Sequence, residues 1–313
     1  MRPSTRSVDI LLATYNGGRF LAEQLQSLER QTFRSWRLIA RDDGSTDATR
    51  ALLADFQARH PAAVRLIEDS GARLGAAGNY ARLLQAMTAD FGLFCDQDDV
   101  WQPDKIESLL TMALAHERPG VPLLVHSDLA VVDQDLRLVA PSFWRYQFIR
   151  PERCQWSRLA VQNVVTGCAC LFNDALRRAA LPIPPEAIMH DWWLALVAAT
   201  VGDIRWTDAV TVQYRQHDGN DTGAKAWGPV YLRRHAAAFF RRRDFQEKVR
   251  LYQRQAGALA AHGGLSLAAS TRAGLHEFAH LHTRSYPGRV GVLLRHRILK
   301  TGLWRNAALL ARV

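Results

Sequence analysis

Apolar runs of five or six residues, each ending in a polar turn, most constrain how this chain can fold. Residues 8–13 lead into Thr14, Tyr15 and Asn16, and residues 36–40 lead into an Arg-Asp-Asp-Gly-Ser turn. Residues 91–95 lead into an Asp-Gln-Asp-Asp turn. Runs of this length predict buried strands. Because helical spacing lies between them, we expect an α/β fold with a mostly parallel sheet, whose functional loops follow the carboxyl ends of the strands.

The same patterns predict the order of the elements. Strands are expected at 8–13, 36–40, 64–68 and 91–95, with helices beginning near residues 20, 46 and 79. Later elements are strands at 123–126, 164–172 and 204–214, a hairpin at 130–139 and a helix at 191–200. Beyond residue 226 the pattern predicts helices at 230–261, 267–282 and 289–311. We therefore expect an α/β domain over residues 1–224 and a helical extension over residues 225–313, with the boundary near 223–229.

Positive charge is concentrated in the predicted extension. Residues 225–313 contain 17 Lys and Arg against three acids, whereas residues 1–224 contain 23 basic and 27 acidic residues. The basic residues alternate with leucine, phenylalanine and tryptophan; they include Arg233, Arg234, Arg241, Arg242, Arg243, Arg295, Arg297, Lys300 and Arg305. This pattern is typical of a helix at an anionic membrane surface, and a helical cap with a solvated arginine face is the alternative. Because no nucleic-acid-binding motif accompanies the charge, we expect no nucleic-acid partner.

The cysteines and the N-terminus indicate a compartment. The four cysteines lack zinc-like spacing, and three of them stand in apolar stretches, so they are interpreted as reduced thiols. Residues 1–9 have no apolar core of signal-peptide length, and no run of 18 apolar residues occurs in the chain. We therefore expect a cytoplasmic protein that does not span a membrane.

The acid cluster Asp96, Asp98 and Asp99 follows an apolar strand, where three carboxylates cannot be buried without a counter-charge. Carboxylate oxygen is the ligand that Mg²⁺ and Mn²⁺ prefer, and these cations bridge carboxylates to diphosphates. One alternative is that the acids only cap the helix that follows Pro103. Another is the nucleophile loop of haloacid-dehalogenase-like phosphatases, in which Asp96 would be phosphorylated.

Three segments together are similar to family 2 glycosyltransferases of GT-A fold, closest to bacterial rhamnosyltransferases of surface polysaccharides. Residues 9–47, with Ala-Thr-Tyr-Asn at 13–16 and Asp-Asp-Gly-Ser-Thr-Asp at 42–47, resemble the donor-binding half. Residues 96–101 resemble the metal-binding DxD segment, and His-Asp-Trp-Trp at 190–193 and Tyr-Arg-Gln-His at 214–217 resemble the segments that supply the base and close the site. The resemblance covers about residues 7–224 and implies an inverting sugar transferase.

The resemblance also implies residues that bind a nucleotide-sugar donor. One of Asp42 and Asp43 would accept the pyrimidine N–H, although Asp43 can instead serve as a turn residue. Asp96 would orient the ribose or a metal-bound group, and Arg73 or Arg215 would neutralise phosphate. The full set of predicted donor-binding residues is Thr14, Tyr15, Asn16, Asp42, Asp43, Asn79, Asp96 and Arg215; for Asn79, a polar contact at the start of a helix is the alternative.

For the metal, the resemblance implies Asp98 as a ligand of Mn²⁺ or Mg²⁺, and His217 would complete its coordination, with a polar loop residue as the alternative for His217. Inverting transfer also needs one carboxylate that takes the proton of the acceptor hydroxyl. We expect Asp191 to be this base, because aromatic neighbours desolvate it, and Trp192 and Trp193 are expected to bind the acceptor sugar.

These expectations lead to a specific reaction. The donor is predicted to be dTDP-rhamnose, with a UDP-hexose as the competitor, and the acceptor is a growing glycan, carried on a polyprenyl diphosphate if the extension attaches to a membrane. The protein would then work at the inner face of a cytoplasmic membrane. The alternatives of another class are the phosphatase and a non-catalytic nucleotide-sugar-binding protein.

Overall fold

A nine-stranded sheet forms the centre of the protein. The computed structural model describes residues 6–68, 72–218 and 242–313. The strands are β1 (Val8–Thr14), β2 (Trp36–Asp42), β3 (Val64–Leu66), β4 (Phe91–Cys95), β5 (Val100–Trp101), β6 (Leu123–Val132), β7 (Leu138–Ala140), β8 (Cys170–Asn173) and β9 (Asp203–Arg215). They lie in the order β3-β2-β1-β4-β8-β6-β9-β5, and β7 pairs with β6.

The half of the sheet built from β3, β2, β1 and β4 is wholly parallel. Thr14 pairs with Asp42 across β1 and β2, and Leu12 pairs with Cys95 across β1 and β4. The loops after these three strands therefore lie along one edge of the sheet. In the other half, β6 and β9 pair in parallel, whereas β8 runs antiparallel to both β4 and β6.

Helices cover the sheet and continue beyond it. They are α1 (Leu21–Glu29), α2 (Thr49–Arg59), α3 (Gly75–Ala86), α4 (Lys105–His116), α5 (Phe143–Gln147), α6 (Trp156–Leu159), α7 (Asp174–Ala180), α8 (His190–Val201), α9 (Arg242–Ala261), α10 (Ala269–Ala279), α11 (Tyr286–Arg295) and α12 (Leu303–Leu310). Within the described ranges, no helix combines the length and the apolar character that crossing a bilayer requires.

The C-terminal helices pack on the rest of the chain through apolar side chains. Leu259, Leu275 and Leu309 belong to the same buried cluster as Trp193 and Leu194 of α8. Burial of each such side chain contributes about 1.5 to 3 kcal/mol. Packing of the kind expected for the alternative, a helical cap, is thus present among the described residues, while the division into domains at residue 224 stays a prediction.

Two predicted elements are wrong in extent. Residues 164–172 form a strand only from Cys170, because Gly167–Ala169 is a turn of 3₁₀ helix. The single helix expected at 289–311 is two helices, because Arg297 and Gly302 take positive φ angles of 54° and 91° between them. The predicted boundary at 223–229, the start of the helix predicted from 230, and Arg233, Arg234 and Arg241 lie outside the described residues.

Candidate active site

Asp42 stands at the carboxyl end of β2, where its carboxylate organises the adjoining turns. It accepts hydrogen bonds from Thr14 Oγ1 at 3.0 Å, from the Ser45 backbone N–H at 2.8 Å and from Arg50 Nε at 2.9 Å. Burial raises the pKa of Asp42, but the hydrogen bonds from Ser45 and Arg50 outweigh it and bring the pKa below its usual value. Asp42 is therefore an ionised carboxylate at the edge of the sheet.

Asp43 fastens the segment that enters α3. Its buried carboxylate accepts hydrogen bonds from Arg41 at 2.7 Å and from the backbone N–H groups of Leu74 and Gly75, both at 2.8 Å. Gly75 has a φ of 70°, which favours glycine. The structure thus gives Asp43 a fold-forming part, as the turn interpretation expected.

The loop after β1 is clasped to the loop after β4. The Tyr15 N–H donates to Gln97 Oε1 at 2.8 Å, and Gln97 Nε2 donates back to the Tyr15 carbonyl at 3.0 Å. Asn16 Oδ1 accepts from the Thr46 N–H at 2.9 Å, which ties the same loop to the one after β2. Arg73 lies 4.0 Å from the centre of the half-exposed Tyr15 ring. The predicted residues Tyr15 and Asn16 therefore form one partly exposed surface with Asp42 and Gln97, whereas Thr14 is buried behind it and donates to Asp42.

The predicted contact of Asn79 with a donor has to be corrected. Asn79 is buried, its Oδ1 accepts from Arg41 at 3.3 Å, and its Nδ2 donates to the Arg41 carbonyl at 3.2 Å. Both polar atoms of the side chain are thus engaged inside the fold. Asn79 positions Arg41, which in turn holds Asp43.

The acid loop, residues 96–99, brings three carboxylates together. Asp96 accepts a hydrogen bond from the Tyr80 hydroxyl at 2.6 Å, and burial together with the charge of Asp98 raises the pKa of Asp96 to about 6. Asp99 is fully buried and accepts the Arg215 backbone N–H at 3.0 Å. Burial and the charges of Asp98 and Asp96 raise the pKa of Asp99 well above its usual value.

Two buried cations lie beside the acid loop. Lys105 donates from Nζ to the Cys168 carbonyl, and burial lowers the pKa of its ammonium to about 8. Sequence reasoning missed Lys105, although the need for a counter-charge to the acids was the signal that could have found it.

The predicted phosphate contact of Arg215, the other buried cation, has to be corrected as well. Its guanidinium donates to the carbonyls of Asp98 at 2.8 Å and Gln134 at 2.6 Å and pairs with Glu23. Arg215 braces the acid loop from inside the protein, whereas Arg73 is exposed at the site.

Asp98 and His217 form a pair that fits a hard divalent cation. Asp98 Oδ2 lies 2.8 Å from His217 Nε2, and neither side chain is fully buried. Ligand atoms of one octahedral cation at about 2.1 Å lie about 3 Å apart, so the two atoms have a suitable separation. Carboxylate with imidazole suits Mn²⁺.

A second group of candidate ligand atoms lies beneath this pair. One oxygen of Asp96, one oxygen of Asp99 and the Cys168 sulfur are all within 4.8 Å of one another. A cysteine thiolate is a soft ligand that suits hard cations such as Mg²⁺ poorly. Asp99 and Cys168 are also buried, and the Lys105 ammonium beside them would repel a cation. The Asp98–His217 pair, which is less buried, is therefore the better match to a hard divalent cation.

Asp191 is the second residue of α8, and hydrogen bonds hold its carboxylate firmly. Its Oδ2 accepts from the Gly167 N–H at 3.1 Å and from Asn163 Nδ2 at 3.3 Å, and its Oδ1 accepts from the Trp192 N–H at 2.6 Å. Burial raises the pKa of Asp191 to about 7, and the charge of Asp96 adds to the increase. A carboxylate with this pKa can accept a proton near neutral pH.

The preceding residue, His190, shows how closely Asp191 and the acid loop are packed. The His190 ring stacks on Tyr80 at 3.8 Å, and Tyr80 donates to Asp96. Burial lowers the pKa of His190 to about 3, so its ring is neutral.

The expectation that Trp193 offers a face to an acceptor sugar is wrong. Trp193 is fully buried, and its indole N–H donates to the Ala180 carbonyl at 2.9 Å. Trp192 is half-buried, donates to the Leu159 carbonyl at 2.6 Å and packs against Tyr252 of α9. A contact of Trp192 with an acceptor stays a prediction.

Comparison with known proteins gives a consistent result. Residues 9–178 match the family described as glycosyl transferase family 2. The chain is 26% identical over 230 residues to the dTDP-rhamnosyl transferase RfbG of Shigella flexneri, which covers 68% of this chain and 74% of that protein. It is 24% identical over 167 residues to an Escherichia coli enzyme, the UDP-Glc:alpha-D-GlcNAc-diphosphoundecaprenol beta-1,3-glucosyltransferase WfgD, covering 53% and 60%.

Solved structures share the fold at low identity. TarS 1–349 of S. aureus in complex with UDP-GlcNAc aligns over 93% of this chain and 80% of that chain, with a TM-score of 0.59 and 16% identity. The mannosyltransferase PcManGT of Pyrobaculum calidifontis, in complex with GDP-Man and Mn²⁺, aligns over 99% and 79%, with a TM-score of 0.55 and 18% identity. The predicted GT-A fold is thereby confirmed.

Proposed function

Since the chain belongs to glycosyl transferase family 2, we propose that it is an inverting, metal-dependent rhamnosyltransferase of polysaccharide biosynthesis. It would transfer L-rhamnose from dTDP-rhamnose to a growing surface glycan. The haloacid-dehalogenase interpretation is wrong, because the family match spans the acid loop on which it rested.

The environment of Asp191 is the observation that carries the proposal. Its carboxylate is held by Gly167 and Asn163, and its pKa of about 7 makes it a base that is available near neutral pH. His190, which precedes Asp191, stacks on Tyr80, and Tyr80 donates to Asp96, so the base stands near the acid loop. In the proposed reaction Asp191 takes the proton of the acceptor hydroxyl as that oxygen bonds to the anomeric carbon, and the bond from this carbon to the diphosphate oxygen breaks with inversion.

Asp98 and His217 would hold Mn²⁺ or Mg²⁺ in this reaction. A cation bound there supplies charge that stabilises the departing diphosphate, which then needs no proton. Lys105 and Arg215 fix the loop that carries Asp98, and Arg73 at the site is the candidate for a direct contact with phosphate.

The donor base would lie against the surface formed by Tyr15 and Asn16, with Thr14 supporting it from behind and Asp42 or Asp43 accepting its N–H. Asp42 is the half-buried member of the pair, whereas Asp43 is buried. Thymine and uracil both carry that N–H and differ by one methyl group, so a UDP-hexose is the second candidate. The name of RfbG, a dTDP-rhamnosyl transferase, supports dTDP-rhamnose as the donor, whereas the name of WfgD, a UDP-Glc-dependent glucosyltransferase, supports a UDP-hexose.

The acceptor is proposed to be a glycan on a polyprenyl diphosphate, presented at the inner face of the cytoplasmic membrane. The name of WfgD, whose acceptor is a diphosphoundecaprenol-linked sugar, supports this class. Trp192 would approach the acceptor sugar from the start of α8.

Two measurements test the proposal. Thermal unfolding of the full chain is followed with dTDP-rhamnose, UDP-glucose and GDP-mannose, each with Mn²⁺ or with a chelator. A ligand that binds only the native state raises the melting temperature, so we expect the largest increase with dTDP-rhamnose and Mn²⁺. A larger increase in melting temperature with UDP-glucose would instead identify a UDP-hexose as the donor.

Transfer is then assayed on a polyprenyl-diphosphate-linked glycan, and the anomeric configuration of the product is determined. We expect a product with the configuration opposite to that of the donor. Donor binding without transfer to any acceptor would instead support a non-catalytic binding protein, and retention would remove Asp191 from the part of base.

A further inference from the structure

Large apolar side chains are exposed where α12 begins. Leu303 is 87% exposed and Trp304 is 75% exposed, directly after Gly302. Phe148, which ends α5, is 60% exposed. A hydrogen bond of 2.9 Å from Arg305 to the Gln147 carbonyl holds the two segments together. Three large apolar side chains therefore stand in neighbouring segments without burial, which marks an interaction surface.

Positive charge surrounds this apolar group. After Glu277 the chain has seven Lys and Arg and no acid. Glu277 itself is paired with Arg284, Arg295 and His296. Arg297 is exposed two residues after Arg295, so it extends the positive charge toward Leu303.

A second segment adds to the same charge. Arg158 donates to the Leu299 carbonyl at 3.1 Å, which places the α6 region beside residues 297–305. Burial and the charges of Arg153 and Arg297 lower the pKa of Arg158, as expected for cations gathered together. The nearest acid in sequence, Glu152, is paired with Arg150.

We infer that Phe148, Leu303 and Trp304, together with Arg297 and Arg153, form a surface that docks on a bilayer of anionic lipids. Indole and aliphatic side chains insert at the boundary of headgroups and acyl chains, while arginines contact lipid phosphates. Each cation near such a surface adds an attraction that salt weakens.

Other occupants fit this docking surface less well. The chain's own segment 219–241 carries Lys225, Arg233, Arg234 and Arg241 against Asp221, so its charge would repel the surface. A second copy would bring the same positive surface. A nucleic acid would match the charge and could stack on Trp304 and Phe148, but no nucleic-acid-binding motif accompanies them, and its binding is one outcome of the test below.

This inference rests on the proposed location at a membrane, and it is independent of the donor and of the reaction. Docking through α12 would bring the site to the membrane in which a polyprenyl-linked acceptor is anchored. Lipid binding and sugar transfer are separate measurements, so either proposal can fail alone.

The experiment is flotation of the full chain with vesicles of phosphatidylcholine, with and without phosphatidylglycerol, at low and high salt. We expect binding that requires phosphatidylglycerol and weakens with salt. The double variant Leu303→Ser/Trp304→Ser should lower the vesicle affinity by about tenfold or more, because both inserted side chains are lost. Leu138→Ser/Val139→Ser is the matched control, since Leu138 is 64% and Val139 is 51% exposed on β7, and it should bind as the unaltered protein does.

Two charge-reversal variants complete the test. Arg297→Glu should weaken binding, whereas Arg65→Glu, at an exposed arginine of β3, should not. Thermal unfolding of every variant establishes that it is folded. Equal flotation of the Leu303→Ser/Trp304→Ser variant and the unaltered protein would overturn the inference, as would absence of flotation at low salt or binding to nucleic acid in place of vesicles.

Discussion

The Nζ atom of Lys105 lies 3.3 Å from the centre of the Trp101 ring, and both residues are buried under the acid loop. The same ammonium donates to the Cys168 carbonyl, and the neighbouring Gly167 N–H donates to Asp191. One buried cation thus connects the loop of the proposed metal ligand with the turn that holds the proposed base.

Replacement of Lys105 by methionine should destabilise the protein. The variant keeps about the length of the side chain but leaves the buried Cys168 carbonyl without its donor and removes the cation from the face of Trp101, and an unsatisfied buried polar group costs about 1 to 3 kcal/mol. Urea denaturation measures the free energy of unfolding. Lys248→Met, at an exposed lysine of α9, is the control. Equal free energies of unfolding for the two variants would contradict a stabilising role of Lys105.

Asp191→Asn should lower turnover by about a hundredfold or more, because the amide cannot take the proton of the acceptor. Donor affinity, measured by calorimetry, should stay close to that of the unaltered protein. Asp174→Asn, at the start of α7, changes a comparable helix-start carboxylate and should remain active. Turnover of Asp191→Asn at the unaltered rate would exclude Asp191 as the base.

The pH dependence of the reaction should follow the same carboxylate. The base acts when ionised, so with a pKa of about 7 the value of kcat/KM should fall about tenfold for each pH unit below 7. The pH–rate profile measures this, and a flat profile between pH 5 and 8 would be inconsistent with Asp191.

Stability should change with pH in the opposite sense. The pKa of Asp191 in the folded protein is raised above its unfolded value near 3.9, so ionisation disfavours the folded state. The free energy of unfolding should therefore fall as pH rises from about 4 to 7, with Asp96, at about 6, contributing in the same direction. We expect a smaller slope in Asp191→Asn, measured by urea denaturation across this range.

Asp98→Ala should abolish the part of donor affinity that depends on Mn²⁺. Calorimetry with the nucleotide-sugar, with and without Mn²⁺, measures the loss. Asp104→Ala removes an exposed carboxylate just beyond the acid loop and should leave the affinity unchanged. If Asp98→Ala binds the donor with undiminished dependence on Mn²⁺, the ligand assignment fails.

Asn79→Ala should separate the two interpretations of that residue. Because its side chain holds Arg41 inside the fold, we expect a loss of about 1 to 3 kcal/mol in the free energy of unfolding. Donor affinity should change little at a temperature where the variant is folded. A large loss of affinity with normal stability would restore the contact with the donor.

Local sequence was enough to predict the first half of the sheet. The strands ending at Thr14, Asp42 and Cys95 are mainly apolar runs, interrupted only by Asp9 and Arg37 before the polar turns that close them, and their short length together with these turns favours buried strands. Local sequence also predicted helix α8, at 191–200, and the hairpin at 130–139 in which β6 pairs with β7. The break between α11 and α12 was missed, because a left-handed arginine at 297 has no signal in the hydrophobic pattern.

The candidate site could be predicted only in part, since burial depends on contacts between distant residues. Asn79 and Arg215 are polar residues in segments that approach the site, yet their partners turn them inward. Lys105 is an ordinary helix residue in sequence, and only the packing of the Cys168 turn above it reveals its environment. The position of the Asp191 carboxylate depends on Asn163 and Gly167, more than twenty residues earlier.

The double hydrogen bond between Gln97 and the Tyr15 backbone restricts which residue can stand at position 17. A Cβ atom on Gly17 would lie 2.2 Å from Gln97 Oε1, so this clasp leaves no room for a side chain there. The loop after β1, which would contact the base, and the loop after β4, which carries Asp98, are thereby held at a fixed separation. Any residue larger than glycine at position 17 would displace Gln97 and release the loop after β4 from the loop after β1.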